Sequence, residues 1–559
     1  MGRTNLVSDP PTQQSQTAWW ETAVVYQVYI RSFADGDGDG LGDLVGLRKR
    51  LPYLASLGVD ALWINPWYPS PMADAGYDVA DYRDIEPAFG TLAQAEELID
   101  DIHASGMKVL LDIVPNHTSS QHLWFQAALA GDETARARYI FRPGQGSDGE
   151  LPPNDWHSVF GGPAWTRVTT AEGTPGDWYL HLFAPGQPDL DWSHREVVDE
   201  FEDVLRFWFD RGIDGFRIDV AHGLSKADGL PDAGLREVGS LHTEPHPAWD
   251  QEGVHEIYRG WRRVADSYDP PRIFVAEAWV PSNERLAKYL RSDELHTAFQ
   301  FDLLRAPWRA SSMRDVIDDA VAAADSVGAA STWVLSNHDV VRHATRYARS
   351  QPPHLVESAW DRSRWGVESP DLELGTRRAR AAALLTLALP GVGYLYQGEE
   401  LALYEVEDIP SALRQDPTWV QSGYTDPGRD GCRVPLPWSG EEPPFDFSPS
   451  GASAQPWLPQ PAEWASLTQQ AQEKDPTSTL SLYRSALRLR GELWEGLTAP
   501  QWIESRDDVL AFRRGAVECW MNTGPDELPL PTRQVLLASQ PLTDSGALPA
   551  DTAVWLVSA

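Results

Sequence analysis

The chain is poor in the features that tie small secreted folds together or carry segments across membranes. Two cysteines, Cys432 and Cys519, are all that 559 residues contain, too few for a disulfide framework. No apolar run approaches the ~20 residues of a membrane span. Residues 1–18 are polar, with Asp9, Pro10, Pro11 and a Gln/Ser run; they have no signal-peptide core and read as a loose tail, so a cytoplasmic location is expected. Cations are scarce beside acids, 46 Lys and Arg against 82 Asp and Glu for a formal net charge of −36. Nucleic acid and anionic membrane surfaces are therefore not expected as partners. What is present, 42% hydrophobic and 23% charged residues, is the composition of a soluble globular protein. The length implies more than one domain, as a monomer or small homo-oligomer. Tryptophan is abundant at 25 copies, most of them suited to cores and some to stacking on sugar faces.

The run Gly215-Phe216-Arg217-Ile218-Asp219 places an arginine and an aspartate two residues apart. In a strand they share one face, where the guanidinium favours the charged carboxylate. A structural ion pair is the alternative reading. Other apolar strands are expected at Val24–Ile30, Ala61–Pro66, Lys108–Val114, Ile273–Trp279, Ala298–Leu303, Ser331–Leu335 and Gly393–Gln397. Between them lie helical patterns at Leu47–Leu57, Ala93–Ser105, Glu196–Arg211, Gly253–Ser267 and Gly375–Leu389, and Leu480–Leu493 closes the run. Eight strand–helix alternations predict an α/β chain folded as a (β/α)8 barrel. A doubly wound open sheet would want a G-x-G-x-x-G after its first strand, and none is there. Residues 118–185 are too long and too rich in Gly, Pro and Trp for a loop, so a subdomain is expected there, inserted after strand 3 into a barrel formed by 19–117 and 186–495. Short alternating strands after Ala499 (509–513, 516–521, 535–538, 553–557) predict a C-terminal β-sandwich over 496–559. The Pro/Ser-rich stretch 439–461 reads as a surface loop.

After the first strand comes Asp35-Gly36-Asp37-Gly38-Asp39-Gly40-Leu41-Gly42-Asp43. Asp35, Asp37, Asp39, Asp43 and the Leu41 carbonyl follow most of the oxygen spacing of a calcium loop, without the closing glutamate of an EF-hand. Acids this close repel unless a cation sits among them; Ca²⁺ is expected, with Mg²⁺ as second choice. At the C-terminal strand ends, where barrel sites lie, charged groups interrupt apolar runs: Asp112, Asn116 and His117; Arg217, Asp219 and His222; Glu277; Asn337, His338 and Asp339. Buried charges on four strands at one rim are costly as mere packing.

Asp112-Ile113-Val114-Pro115-Asn116-His117, Gly215–Asp219, Val275-Ala276-Glu277 and Ser336-Asn337-His338-Asp339 resemble the four ordered signature regions of glycoside hydrolase family 13, the α-amylase family. Gln187-Pro188-Asp189-Leu190-Asp191 and the stretch Arg429–Trp438 resemble segments of its α-glucosidase and oligo-1,6-glucosidase branch; Asp191, Val434, Leu436 and Pro437 depart from the usual residues. The acidic loop looks like that branch's calcium site. The resemblance implies Asp219 as nucleophile, Glu277 as general acid/base and Asp339 as the third carboxylate. It implies His117, His338, Arg217 and Tyr77 as glucose contacts, with Asp78 and Arg433 clamping the non-reducing end. That set implies exo-attack on small α-glucosides. Glu277, between two alanines on an apolar strand, is expected to have a raised pKa. Alternatives within the family are a transglucosidase, an isomerase acting on sucrose or maltose, and an endo-amylase. A non-catalytic binding subunit is the alternative from another class. Val220 leans towards α-1,6 linkages in that branch, while Ala221-His222-Gly223 departs from its oligo-1,6 pattern.

Overall fold

The structure is a computed structural model, describing residues 18–169, 173–234, 245–351, 361–494, 496 and 498–558. Most of the expected N-terminal tail, residues 1–17, lies outside the described residues. Eight parallel strands form one sheet: β1 (Val24–Val28), β2 (Ala61–Ile64), β3 (Lys108–Ile113), β4 (Gly215–Ile218), β5 (Ile273–Ala276), β6 (Thr297–Ala298), β7 (Thr332–Val334) and β8 (Val392–Tyr396). Their order, β7-β8-β1-β2-β3-β4-β5-β6, wraps round until the ends meet. A side chain completes the seam. The Thr332 hydroxyl donates to the Ala298 carbonyl at 2.5 Å and accepts from the Gln300 N–H at 3.0 Å.

All eight expected strands are present, and the sixth is much shorter than its apolar run suggested. The Gln300 side chain accepts the Asp302 N–H at 2.7 Å and turns the chain into the helix Asp302–Arg305. The amphipathic helix Ala310–Asp325, unassigned in the sequence reading, carries Met313, Val316, Ile317, Ala320 and Ala324 on its buried face, the spacing of a helical stripe.

Alternation within each strand decides what enters the barrel. Val25, Trp63, Leu110, Ile273, Val275, Val392 and Tyr394 pack with one another inside. Residues of opposite parity, such as Tyr26, Leu62, Val109 and Phe274, join the core shared with the surrounding helices. Continuing each inward column towards the strand's C-terminal end leads from Val25 to Gln27, from Trp63 to Asn65 and from Leu110 to Asp112. It leads likewise from Gly215 to Arg217 and Asp219, and from Val275 to Glu277. All of these polar groups are buried.

The chain between β3 and β4 carries a three-stranded antiparallel sheet (Phe141–Arg142, Trp165–Thr169, Pro175–Leu180). Its return bridges Asp189 to His117 at the end of β3. The C-terminal strands form a single five-stranded antiparallel sheet. One face rests on the helix Leu372–Ala388, with the Trp555 indole donating to the Leu384 carbonyl. The second layer of the expected sandwich is supplied by the two connections flanking the strand Val535–Ala538, whose Leu528 and Leu548 bridge each other and join an apolar cluster with residues of that sheet. A second sheet was not needed to cover so small a surface. The stretch 439–461 is less superficial than its composition suggested: Phe445, Phe447 and Leu458 are buried, and it is hydrogen-bonded to the acidic loop through Asp35, Gly38 and Gly40.

Candidate active site

One buried guanidinium organises the strand ends. Arg217 Nη1 donates to Asp219 Oδ1 at 2.7 Å and to Asp112 Oδ1 at 2.9 Å, while Nη2 binds Glu277 Oε2. Asp112 and Arg217 are register partners on adjacent strands, which is why a residue of β3 reaches this cation. The Asp112 side chain is sealed by the Trp63 indole and the Tyr77 hydroxyl. Three acids share one cation, so the cluster cannot be fully ionised without net buried negative charge. Burial pushes the Asp219 carboxyl well above the usual range, with Glu277 and Asp112 adding to the rise against the pull of Arg217. The sequence reading counted Arg217 alone and expected the opposite sign. Asp112 is pushed up to about 6 by burial, again against Arg217.

Asp339 stands in the reverse situation. Its Oδ1 accepts from Arg433 Nη2 at 2.8 Å and Arg429 Nη1 at 3.0 Å, and His338 Nε2 lies 3.2 Å from Oδ2. Burial opposes its ionisation, but His338, Arg429 and Arg433 together hold the carboxyl below the ordinary range. The exposures show where the opening is. The side chains of Asp219, Glu277 and Asp339 keep 10%, 12% and 24% of their surface, against 0% for Asp112, 2% for Arg217 and 1% for Arg433. Three carboxylates therefore face open space on a floor of sealed partners.

His117, buried and kept neutral by that burial, touches the Tyr77 carbonyl and the Gln187 amide, both at 3.1 Å. His338 stacks on Tyr77 with ring centroids 5.2 Å apart. The expected clamp falls on other residues. Asp78 turns back into its own loop, accepting from Ser70 Oγ, Ala73 N and Asp74 N. In the loop so held, Met72 and Ala75 have positive φ, and Asp74 projects towards Arg429 Nη2 at 2.7 Å and Gln187 Nε2 at 3.1 Å. Arg433 is committed to Asp339 and the His338 carbonyl. The acid–arginine pair beside Asp339 is thus Asp74–Arg429 in place of Asp78–Arg433. Asp74 lies four residues before Asp78 and Arg429 four before Arg433, and nothing in sequence spacing says which of each pair faces in. Also missed was Lys226, buried in an ion pair with Asp189 at 3.0 Å and bonded to Asn116 Oδ1 at 2.8 Å. It locks the returning chain to β3.

In the acidic loop Asp35, Asp37 and Asp39 each bring a carboxylate oxygen within 4.8 Å of the others. That donor set suits a hard divalent cation. Asp43 does not join it. Its carboxylate accepts from Gly36, Asp37 and Gly46 N–H groups as N-cap of the helix Leu44–Leu57. The Leu41 N–H donates to Asp39 Oδ1 at 2.8 Å, holding Leu41 on the same turn.

Fold and site together define a barrel enzyme with paired acids at its C-terminal rim. The family description "Alpha amylase, catalytic domain" matches residues 27–497, and the chain belongs to that family, glycoside hydrolase family 13; it is a glycoside hydrolase. It is 37% identical over 521 residues to a protein of Rhizobium meliloti (strain 1021) named probable alpha-glucosidase, covering 89% of this chain and 87% of that one. It is 32% identical to the oligo-1,6-glucosidase of Parageobacillus thermoglucosidasius, covering 85% and 84%. Among solved structures, that of the alpha-glucosyl transfer enzyme XgtA superposes with a TM-score of 0.82 at 33% identity, covering 97% of this chain and 100% of that one. Among the described residues no helix is long and apolar enough to cross a membrane.

Proposed function

We propose that the chain is a retaining, exo-acting α-glucosidase that releases glucose from the non-reducing ends of short α-glucosides. The observation that carries this reading is the grouping of three partly exposed carboxylates, two of them on the two ends of one guanidinium. Retaining enzymes need two carboxyl groups about 5 Å apart, one to attack and one to move a proton. With the proton of the pair on Glu277, the Asp219 carboxylate attacks C1 of the bound glucosyl unit and forms a glucosyl ester, while Glu277 passes that proton to the departing glycosidic oxygen. Glu277 then takes a proton from the incoming water, whose oxygen displaces Asp219 at C1. Asp339, charged at any working pH, stabilises the cationic character that builds up at the ring. Asp74 and Arg429 close the pocket beyond Asp339 and grip the terminal hydroxyls, and His117, His338 and Tyr77 line the glucose. Trp279, whose indole donates to Glu277 Oε1 at 3.1 Å and stacks on Phe301, borders the leaving-group side.

The likeness to XgtA favours a second reading, in which a sugar replaces water as acceptor. A panel of maltose, isomaltose, sucrose, trehalose and starch with product identification tests both. Free glucose from the disaccharides with starch poorly used is the expected result. New disaccharides as the main product would favour transfer, and attack on starch interior bonds would contradict exo-action. We further assign a structural Ca²⁺, or Mg²⁺, to Asp35, Asp37 and Asp39 with the Leu41 carbonyl. It would neutralise a loop pinned to the stretch 445–458 and supply no group to the reaction.

A further inference from the structure

We propose that Gln27, near the C-terminal end of β1, is a positioning residue for glucosyl transfer: its side-chain amide fixes which nitrogen of His338 carries the proton. The proposal rests on the glycosidase reading above. Gln27 is buried, and its Nε2 lies 3.0 Å from Asn65 Oδ1 and 2.7 Å from His338 Nδ1.

The direction of these bonds follows from the far end of the network. Arg217 and the Trp63 indole can only donate, and both donate to Asp112. Tyr77 donates its hydroxyl hydrogen to Asp112 Oδ2 at 2.9 Å, so its oxygen accepts, and it does so from Asn65 Nδ2 at 2.6 Å. Asn65 therefore presents its carbonyl oxygen to Gln27, which must present its NH2 group in return. One amide hydrogen goes to Asn65 and the other to His338 Nδ1. That nitrogen is thereby an acceptor, and the single ring proton of a neutral imidazole is left on Nε2.

The ring has no other freedom. It is sandwiched between Tyr77 (5.2 Å, 10°) and Tyr29 (5.9 Å, 23°). Burial holds it neutral, with Arg433, Arg217 and Arg429 adding to that effect and Asp339 opposing it. Nε2 points to Asp339 Oδ2 at 3.2 Å. With the proton there, His338 supports the carboxylate and can donate to a sugar hydroxyl. With the proton on Nδ1, a lone pair would face the carboxylate and push it out of place. A single chain of hydrogen bonds, His338–Gln27–Asn65–Tyr77–Asp112–Arg217–Asp219, thus runs to the nucleophile from the ring whose Nε2 faces Asp339 at 3.2 Å, with Gln27 at its turning point.

The test compares Gln27→Met and Gln27→Glu with wild type, reading kcat/KM on p-nitrophenyl α-glucoside against pH alongside the melting temperature. Gln27→Met should lose about 10- to 100-fold in kcat/KM, the range seen when the partner orienting a functional histidine is removed. In a His338→Ala background the same substitution should cost nothing further; losses that multiply would overturn the proposal. Gln27→Glu supplies a hydrogen to Nδ1 only while its carboxyl is protonated, so its activity relative to wild type should climb as pH falls. A flat ratio would overturn the proposal and, should Gln27→Met not fold, carries the test alone. A wild-type chain inactive on every α-glucoside would instead overturn the reading of the site, and this inference with it.

Discussion

The two sides of the pocket handle negative charge in opposite ways. At the nucleophile side Arg217 alone serves Asp112, Asp219 and Glu277; at the far side Arg429, Arg433 and His338 all serve Asp339. The carboxyl of Asp219 is held up and that of Asp339 is held down. Burial opposes the ionisation of both acids, so the difference lies in the guanidiniums within reach: two on Asp339, against one that Asp219 shares with Asp112 and Glu277. A third case extends the series. Glu399, just past β8, is buried, and burial pushes it up to about 8.

The sharpest way to break the comparison is to remove the attacking acid. Asp219→Ala should lower hydrolysis of p-nitrophenyl α-glucoside by roughly 10⁴-fold or more, the scale of a lost covalent nucleophile. Near wild-type rates would mean that the crowded side of the pocket is not where chemistry occurs.

Next in size is the grip beside Asp339. Asp74→Ala or Arg429→Ala should each reduce kcat/KM by about 10²-fold, as expected when one member of a buried, hydrogen-bonded charge pair is removed. Asp78→Ala should act through the loop it holds, with a smaller kinetic effect and a lower melting temperature. Equal losses at Asp74 and Asp78 would return the clamp to the residues the sequence suggested.

That pair also shows where sequence reading stops. The eight strands, Asp219 and Glu277 were legible because alternation within an apolar strand fixes which residues face inward, and a charged residue in such a column has little else to be; Asp339, five residues past β7, was legible only through the likeness of Ser336–Asp339 to a signature region. Asp74 and Arg429 sit on loops, where facing depends on φ at Met72 and Ala75 and on the caps supplied by Asp78. The sign of the Asp219 shift was hidden for a related reason. Arg217 and Asp219 are neighbours in sequence, whereas Asp112 and Glu277 reach the same guanidinium only through strand pairing. Gln27 could have been found. It is the polar residue sharing the inward parity of Val25 in an otherwise apolar strand, but an uncharged amide drew no attention beside so many carboxylates.

The series is sharpened further at Glu399. Its pKa is raised in the fold, so its contribution to stability is fully present below the ordinary glutamate value and is lost as pH rises from there through about 8. Glu399→Gln stays neutral throughout. The melting temperature of wild type should therefore fall relative to that variant between pH 5 and 8, by an amount on the order of a few kcal/mol in stability. A constant difference would show that the carboxyl is not held neutral.

The smallest effect is expected at the acidic loop, where backbone N–H groups and the assigned cation replace arginine. Chelation with EDTA should lower the melting temperature by a few degrees with kcat little changed, and added Ca²⁺ should restore it, since a ligand bound only to the folded state stabilises it by mass action. No change on chelation would count against a cation there.

The most direct test is to trap the intermediate. Brief exposure to a slow 5-fluoroglucosyl fluoride, followed by proteolysis and mass spectrometry, should find the fluorosugar esterified to the peptide carrying Gly215–Asp219, at Asp219, with the α anomer of 5-fluoroglucose released as that complex turns over. A sugar on any other acid, or the β anomer of 5-fluoroglucose as the first product with no adduct, would contradict the account.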